Sequence, residues 1–210
     1  MKQSPPPLSR PSPKNSLINT AGQLRIIGGS WRGRKLGFPA VDGLRPTGDR
    51  VRETLFNWLA PEIQGARCLD VFAGSGALGV EALSRGAGTV LMLERDAKAA
   101  SQLRANLSLL NAQNGKIIHG DALKFLQEGN HVHNNPEGSY QIIFIDPPFQ
   151  LQLWQQVIDV LEAKNWLAED ATIYIESGRE SVYQTPPNWQ LHREKHAGNV
   201  SYRLFYREKT

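Results

Sequence analysis

Residues 146–149, Asp146-Pro147-Pro148-Phe149, have the types and order best suited to chemistry in this chain. They follow an apolar run, residues 142–145, which is typical of a strand buried on both faces of a parallel sheet. Because proline has no backbone N–H, the strand must end at Asp146, and Pro147 restricts Asp146 to an extended conformation. The sequence therefore predicts a rigid corner at the carboxyl edge of a sheet, where open α/β sheets bind ligands.

Such a corner would present a carboxylate, two free backbone carbonyls and an aromatic face. A planar base can stack on Phe149 while Asp146 and the carbonyl groups accept hydrogen bonds from its exocyclic amine. The alternative at this point is that Asp-Pro-Pro is simply a turn.

A glycine-rich turn is the second candidate site. Gly74, Gly76 and Gly79 match G-x-G-x-x-G between a predicted buried strand that begins near residue 67 and a predicted helix at 78–85. In that setting the glycines permit a tight turn and the close approach of a nucleotide-like cofactor.

Three acids near this turn bear on which cofactor it binds. Asp70 lies within the first strand, Glu94 ends the next strand, 89–93, and Asp121 follows a third strand, 116–119. An NAD enzyme needs its glycine turn for a pyrophosphate, whereas the amino and ribose groups of S-adenosylmethionine favour nearby carboxylates. The acids therefore favour S-adenosylmethionine, with an NAD oxidoreductase as the alternative.

The predicted elements alternate between strands and helices. Helical patterns at 97–110 and 153–161 separate buried strands, and a fifth strand is predicted at 172–176. Residues 191–196 and 201–207 read as an antiparallel pair around Gly198 and Asn199. We therefore expect an α/β fold with a doubly wound, Rossmann-like seven-stranded sheet, mostly parallel with a terminal antiparallel strand.

Charge is concentrated at the front of the 210 residues. Residues 1–52 contain ten Lys and Arg against two Asp, a net charge of +8 in a chain whose total is +4. This asymmetry indicates a nucleic-acid partner.

Residues 24–36 read as a hairpin turning at Gly28 and Gly29, followed by a helix from an N-cap at Thr47 to about residue 59. The candidate RNA-binding residues are Arg25, Trp31, Arg32, Arg34, Lys35, Arg45, Arg50 and Arg52, although an ordinary solvated hairpin is the alternative.

The rest of the chain supplies boundaries. We predict a disordered tail at 1–21, a basic RNA-binding extension at 22–60 and the main domain at 61–210. Cys68 is the single cysteine, which fits a reducing cytosol, and no secretory signal or membrane span is visible. His131 and His133 lack further ligands nearby, so we expect no metal.

Together these segments resemble the RsmD family of class I S-adenosylmethionine-dependent methyltransferases. The resemblance covers about residues 22–207 and is most specific in RIIGG at 25–29, LRPT at 44–47, DRVRETLF at 49–56, DVFAGSGALG at 70–79 and DPPF at 146–149. Many amino-group methyltransferases have asparagine in place of Asp146. The aspartate departs from that wider pattern and agrees with this family.

The resemblance implies methylation of the exocyclic N2 of guanine 966 in bacterial 16S ribosomal RNA during small-subunit assembly, by a cytoplasmic monomer. Asp146, Pro147, Pro148 and Phe149 are then the catalytic residues. The expected cofactor-binding residues are Asp70, Phe72, Ala73, Gly74, Ser75, Gly76, Leu78, Glu94, Arg95, Asp121, Ala122 and Thr47. Alternatives are an N6-adenine methyltransferase on DNA or RNA, a release-factor glutamine methyltransferase and a non-catalytic assembly factor.

Overall fold

A computed structural model describes residues 20–41, 47–129 and 139–209. The predicted tail therefore lies almost entirely outside the described residues, as do Arg45 and the pair His131 and His133. No helix within the described ranges is both long and apolar enough to cross a membrane.

Nine strands form two sheets in the described chain. They are β1 Thr20–Arg25, β2 Lys35–Pro39, β3 Arg67–Asp70, β4 Thr89–Glu94, β5 Gly115–His119, β6 Tyr140–Ile145, β7 Leu167–Gly178, β8 Trp189–Ala197 and β9 Val200–Arg207. The large sheet has the order β5-β4-β3-β6-β7-β9-β8, with five parallel strands followed by β9 and β8, which pair antiparallel. This confirms the predicted seven-stranded, mostly parallel sheet.

Five α-helices connect or flank these strands in the described residues. They are α1 Asp49–Trp58, α2 Gly79–Ser84, α3 Ala97–Leu110, α4 Ala122–Glu128 and α5 Trp154–Ala163. The sequence signals are clearest for α3, because Asp96 caps its first turn by accepting from the amides of Lys98 and Ala99, and Asn111 ends it in the left-handed conformation.

The central strands are buried on both faces, as their apolar runs predict. On β6, Ile142 and Phe144 belong to one apolar layer with residues of α1, α2 and α3, while Ile143 and Ile145 belong to the other with α4 and α5. Alternate residues of a strand point to opposite faces, so a continuous apolar run supplies both layers.

The basic extension is a hairpin, but its turn differs from the prediction. β1 and β2 pair antiparallel, and a 3-10 helix, Gly29–Trp31, lies in the connection between them. Gly28 is extended at φ −146°, and only Gly29 of the pair has a positive φ. A Cβ at Gly29 would overlap the Ser84 carbonyl, so the glycine allows this connection to pack on α2. The predicted tight turn at this pair is therefore wrong.

Helix α1 corrects two further expectations. Its N-cap is Gly48 rather than Thr47. Arg52, which we predicted to face solvent or RNA, is 1% exposed. It lies on the buried face of the helix with Leu55 and Phe56. The adjacent residue, Val51, is only partly buried against the same core.

Candidate active site

The glycine turn and the Asp-Pro-Pro corner lie at the same edge of the sheet. β3 and β6 are adjacent and parallel, with Asp70 aligned to Phe144, and the amide of Val71 donates to the Phe144 carbonyl at 3.1 Å. Since the turn follows β3 and the corner follows β6, their residues meet at the carboxyl ends of neighbouring strands.

The corner is held from the basic extension. Thr47 Oγ1 donates to Asp146 Oδ2 at 3.2 Å, so the residue expected to cap α1 instead orients the candidate catalytic carboxylate. Asp146 Oδ1 has no hydrogen-bond partner within the described part of the chain. Burial raises the pKa of Asp146 well above its usual value, Glu176 adds to the increase, and the Thr47 hydrogen bond opposes it.

The two prolines differ in what they offer a ligand. The Pro148 carbonyl accepts from the amide of Leu151 at 2.9 Å, which corrects the expectation of two free carbonyls. The Pro147 carbonyl has no hydrogen-bond donor among the described residues. Phe149 remains 36% exposed, and its ring centroid lies 5.7 Å from that of Trp154. A carboxylate oxygen, one carbonyl and an aromatic face are thus available.

The glycine turn is braced by two carboxylates. Gly74 and Gly76 have φ of +54° and +81°, a conformation that favours glycine. Glu94 Oε2 accepts from the Gly74 amide at 2.7 Å, and Asp70 Oδ2 accepts from the Gly79 amide at 2.9 Å. Burial, opposed by the Gly79 amide, raises the pKa of Asp70 to about 7.

The remaining cofactor candidates surround this turn. Ala73, Ser75 and Leu78 have buried side chains, so a ligand at the turn would contact mainly backbone. Phe72 is half-buried, and Arg95 and Asp121 are exposed. Asp121 caps α4 through the amide of Lys124, and Ala122, the next residue, is buried. Carboxylates at the ends of β3 and β4 suit a cationic amino group and ribose hydroxyls better than a pyrophosphate.

Sequence reasoning missed Glu176, the acid on the strand next to the corner. Ile145 aligns with Ile175, so Glu176 follows opposite Asp146. It is 8% exposed and accepts from Tyr174 Oη at 2.8 Å, and burial raises its pKa. A signal was present, because Glu176 follows an apolar strand segment in the same way as Glu94 and Asp146.

The basic surface is smaller than predicted. Arg32, Arg34, Lys35 and Arg50 are exposed, and Arg25 is exposed but paired with Asp49 at 3.0 Å. The ring of Trp31 is partly buried against the apolar core. Arg52 does not contribute, because it donates instead to Asp49 and to backbone carbonyls inside the extension.

In the described ranges, no group of three or more His, Cys, Asp and Glu side chains is arranged to hold a metal ion.

Comparisons with known proteins cover nearly the whole chain. A family model described as Conserved hypothetical protein 95 matches residues 24–206. Ribosomal RNA small subunit methyltransferase D of Escherichia coli strain K12 is 53% identical over 189 residues, which is 90% of this chain and 92% of that protein. The protein of the same name from Haemophilus influenzae is 48% identical, covering 89% of this chain and 95% of its own length. The solved structure of yhhF from Escherichia coli has a TM-score of 0.79 and 53% identity, covering 90% of this chain and 100% of that one.

Proposed function

This chain belongs to the RsmD family of methyltransferases, and on that premise we propose that it methylates the exocyclic N2 of guanine 966 in bacterial 16S ribosomal RNA. S-adenosylmethionine is the proposed methyl donor. The observation that carries the proposal is the meeting of Asp146 and the glycine turn at one sheet edge, next to an exposed basic hairpin.

The chemistry asked of the corner follows from the substrate. The lone pair of an exocyclic amine is delocalised into the purine ring, so the amine is a weak nucleophile. Asp146 Oδ1 and the Pro147 carbonyl accept its two N–H groups and concentrate the lone pair toward the methyl donor. Catalysis then rests on orientation and on fixed acceptors rather than on covalent chemistry. Phe149 stacks on the base, which must leave its helix to reach the corner.

The residues of the turn fit the proposed cofactor. Bound S-adenosylmethionine supplies an electrophilic methyl group. We assign Glu94, at the end of β4, to the ribose hydroxyls, since the backbone of the Gly74–Gly76 turn lies beside it. Asp70 keeps the turn joined to α2 through the Gly79 amide. We assign Asp121, which follows β5 and caps α4, to the adenine amine.

The proposed substrate is RNA within a small-subunit assembly particle. The hairpin cations Arg32, Arg34 and Lys35 supply the sequence-independent attraction to phosphates, which depends on salt concentration. Residues 22–60 are proposed as the docking extension, and Thr47 connects that extension to the catalytic corner.

The proposed function is tested by mapping methylated nucleotides in small-subunit RNA with and without this protein. Mass spectrometry of nuclease fragments should find one added methyl on N2 of guanine 966 only when the protein is present. A methyl on N6 of an adenine would instead establish the alternative substrate, and no added methyl in either RNA or assembled particles would refute the proposal.

The basic hairpin makes a separate prediction. Reversing Arg32, Arg34 and Lys35 to glutamate should weaken RNA binding and make it less salt-dependent, because three phosphate contacts are lost. The slope of log affinity against log salt should shrink by about two units. Equilibrium binding at several salt concentrations measures this.

A matched control reverses Lys116, Lys164 and Lys209, which lie outside the extension. It changes the total charge equally, so it should leave the slope nearly unchanged. Equal effects of the two triple variants would show that net charge, rather than the hairpin, controls binding.

A further inference from the structure

Glu176 lies beside the catalytic corner but has no part in the methyl-transfer chemistry described above. β6 and β7 are parallel and in register, with Phe144 aligned to Tyr174 and Ile145 to Ile175. Phe144 and Tyr174 belong to the same apolar layer, so the next alternate positions, Asp146 and Glu176, emerge on that face too. Two carboxylates therefore lie side by side near the carboxyl ends of neighbouring strands, on the side that the basic extension covers.

Each of these carboxylates has one oxygen held and one oxygen unengaged. Thr47 Oγ1 donates to Asp146 Oδ2, and Tyr174 Oη donates to Glu176 Oε2. Neither Asp146 Oδ1 nor Glu176 Oε1 has a hydrogen-bond partner in the described ranges. Glu176 is 8% exposed and Asp146 is half-buried, and neither unengaged oxygen is among the fully buried side-chain atoms that lack a partner in the described residues. Both oxygens are therefore open to a hydrogen bond that a ligand donates.

The aromatic residues beside the corner also contact β7 near Glu176. The Trp154 indole Nε1 donates to the Glu176 backbone carbonyl at 2.8 Å, and the ring of Trp154 contacts Phe149. A Cβ built on Gly178, two residues further along β7, lies 3.9 Å from the Phe149 ring. The aromatic face proposed to stack on the base therefore lies at the end of the same strand as Glu176.

We propose that Glu176 determines the choice of guanine, with Oε1 accepting the N1–H while Asp146 accepts from the neighbouring N2 amine. This inference rests on the proposed function. Guanine presents N1–H and N2–H as adjacent donors on one edge. Adenine presents an amine beside an unprotonated N1, which would place a lone pair against the Glu176 oxygen. The site would then hold an unpaired buried acceptor, the arrangement by which enzymes reject near-isosteric substrates.

The discriminating substrate is small-subunit RNA carrying 2-aminopurine in place of the target guanine. This base keeps the exocyclic 2-amine, but its N1 has no proton. The wild-type protein should favour guanine over 2-aminopurine by about a hundredfold in kcat/KM for methyl transfer. Glu176→Gln should narrow the ratio to about tenfold or less, because the glutamine amide can donate to the bare N1.

If Glu176 has a purely structural role, Glu176→Gln should lower kcat/KM equally for guanine and 2-aminopurine and leave their ratio unchanged. That outcome, or a wild-type ratio near one, would overturn the inference. Tyr174→Phe is the matched control, because it removes the hydroxyl that holds Oε2 and keeps the carboxylate. It should slow guanine methylation while preserving the preference.

Two further readings keep the test decisive. Circular dichroism establishes whether Glu176→Gln folds. If it does not, Glu176→Asp replaces it, because aspartate keeps the charge and withdraws it by one methylene. This variant should narrow the ratio of guanine to 2-aminopurine methylation, and an unchanged ratio would overturn the inference. Failure of the proposed function has a different signature, because the wild-type protein would then transfer no methyl group to N2 of the natural guanine.

Discussion

Replacing Asp146 with alanine is expected to slow methyl transfer by at least about a thousandfold, because fixed electrostatic groups at a reacting centre carry effects of this size. Asp146 Oδ1 is the unengaged carboxylate oxygen at the corner, and the alanine variant has no side-chain acceptor to take its place. Cofactor affinity should change little, since the contacts that brace the glycine turn come from Glu94 and Asp70.

Single-turnover methyl transfer and calorimetric titration with S-adenosylmethionine measure the two quantities separately. Asp159→Ala is the control, because it removes an exposed acid on α5 and should leave both unchanged. Near-normal turnover in Asp146→Ala would remove the assigned catalytic role. A parallel loss of cofactor affinity would instead place Asp146 in the cofactor site.

Asp146→Asn separates hydrogen-bond acceptance from ionisation. Burial and the nearby Glu176 raise the pKa of Asp146, so in the wild-type protein the reactive carboxylate forms only as pH rises through that elevated value. The rate should therefore increase with pH above the usual aspartate range. Asparagine keeps an accepting oxygen but has no proton to lose, so its residual rate should lose the part of the limb that Asp146 contributes. The pKa of Glu176 is also raised by burial, so a weaker dependence from that carboxyl group should remain.

The fold was largely predictable because its signals are local. Apolar runs such as residues 142–145 predict a strand that is buried on both faces. The glycines at 74 and 76 predict positive φ, and the pair at 198 and 199 predicts a hairpin. Because both motifs follow predicted strands of one parallel sheet, the corner and the glycine turn were both expected at its carboxyl edge.

The predictions that were wrong or incomplete concern features that depend on contacts between residues distant in sequence. Whether Gly29 turns a hairpin or fits against a helix depends on Ser84, which is 55 positions further along the chain. The partner of Thr47 is Asp146, and Glu176 gains significance only once β7 lies beside β6. A single sequence therefore indicates which residues could take part in chemistry, but it indicates less well which of them are in contact in the folded protein.

Arg52 is the clearest such case, and Arg52→Met should destabilise the protein by roughly 3–5 kcal/mol, as expected when one partner of a buried ionic network is removed. Its guanidinium donates to the carbonyl groups of Thr47 and Arg25 and pairs with Asp49 and Glu81. Methionine fills similar volume but donates to none of these acceptors. For a chain of this size the melting temperature should fall on the order of 10 °C.

Arg50→Met provides a matched control, since it removes the same charge from the same helix at an exposed position. Its effect on unfolding should stay within about 0.5 kcal/mol, although its RNA affinity should decline as a phosphate contact is lost. Arg52→Met should show the reverse pattern and should also slow catalysis, because Arg52 holds the backbone of Thr47, whose hydroxyl orients Asp146. Equal melting temperatures for the two variants, measured in the same buffer, would contradict the buried network as the attachment between the basic extension and the catalytic corner.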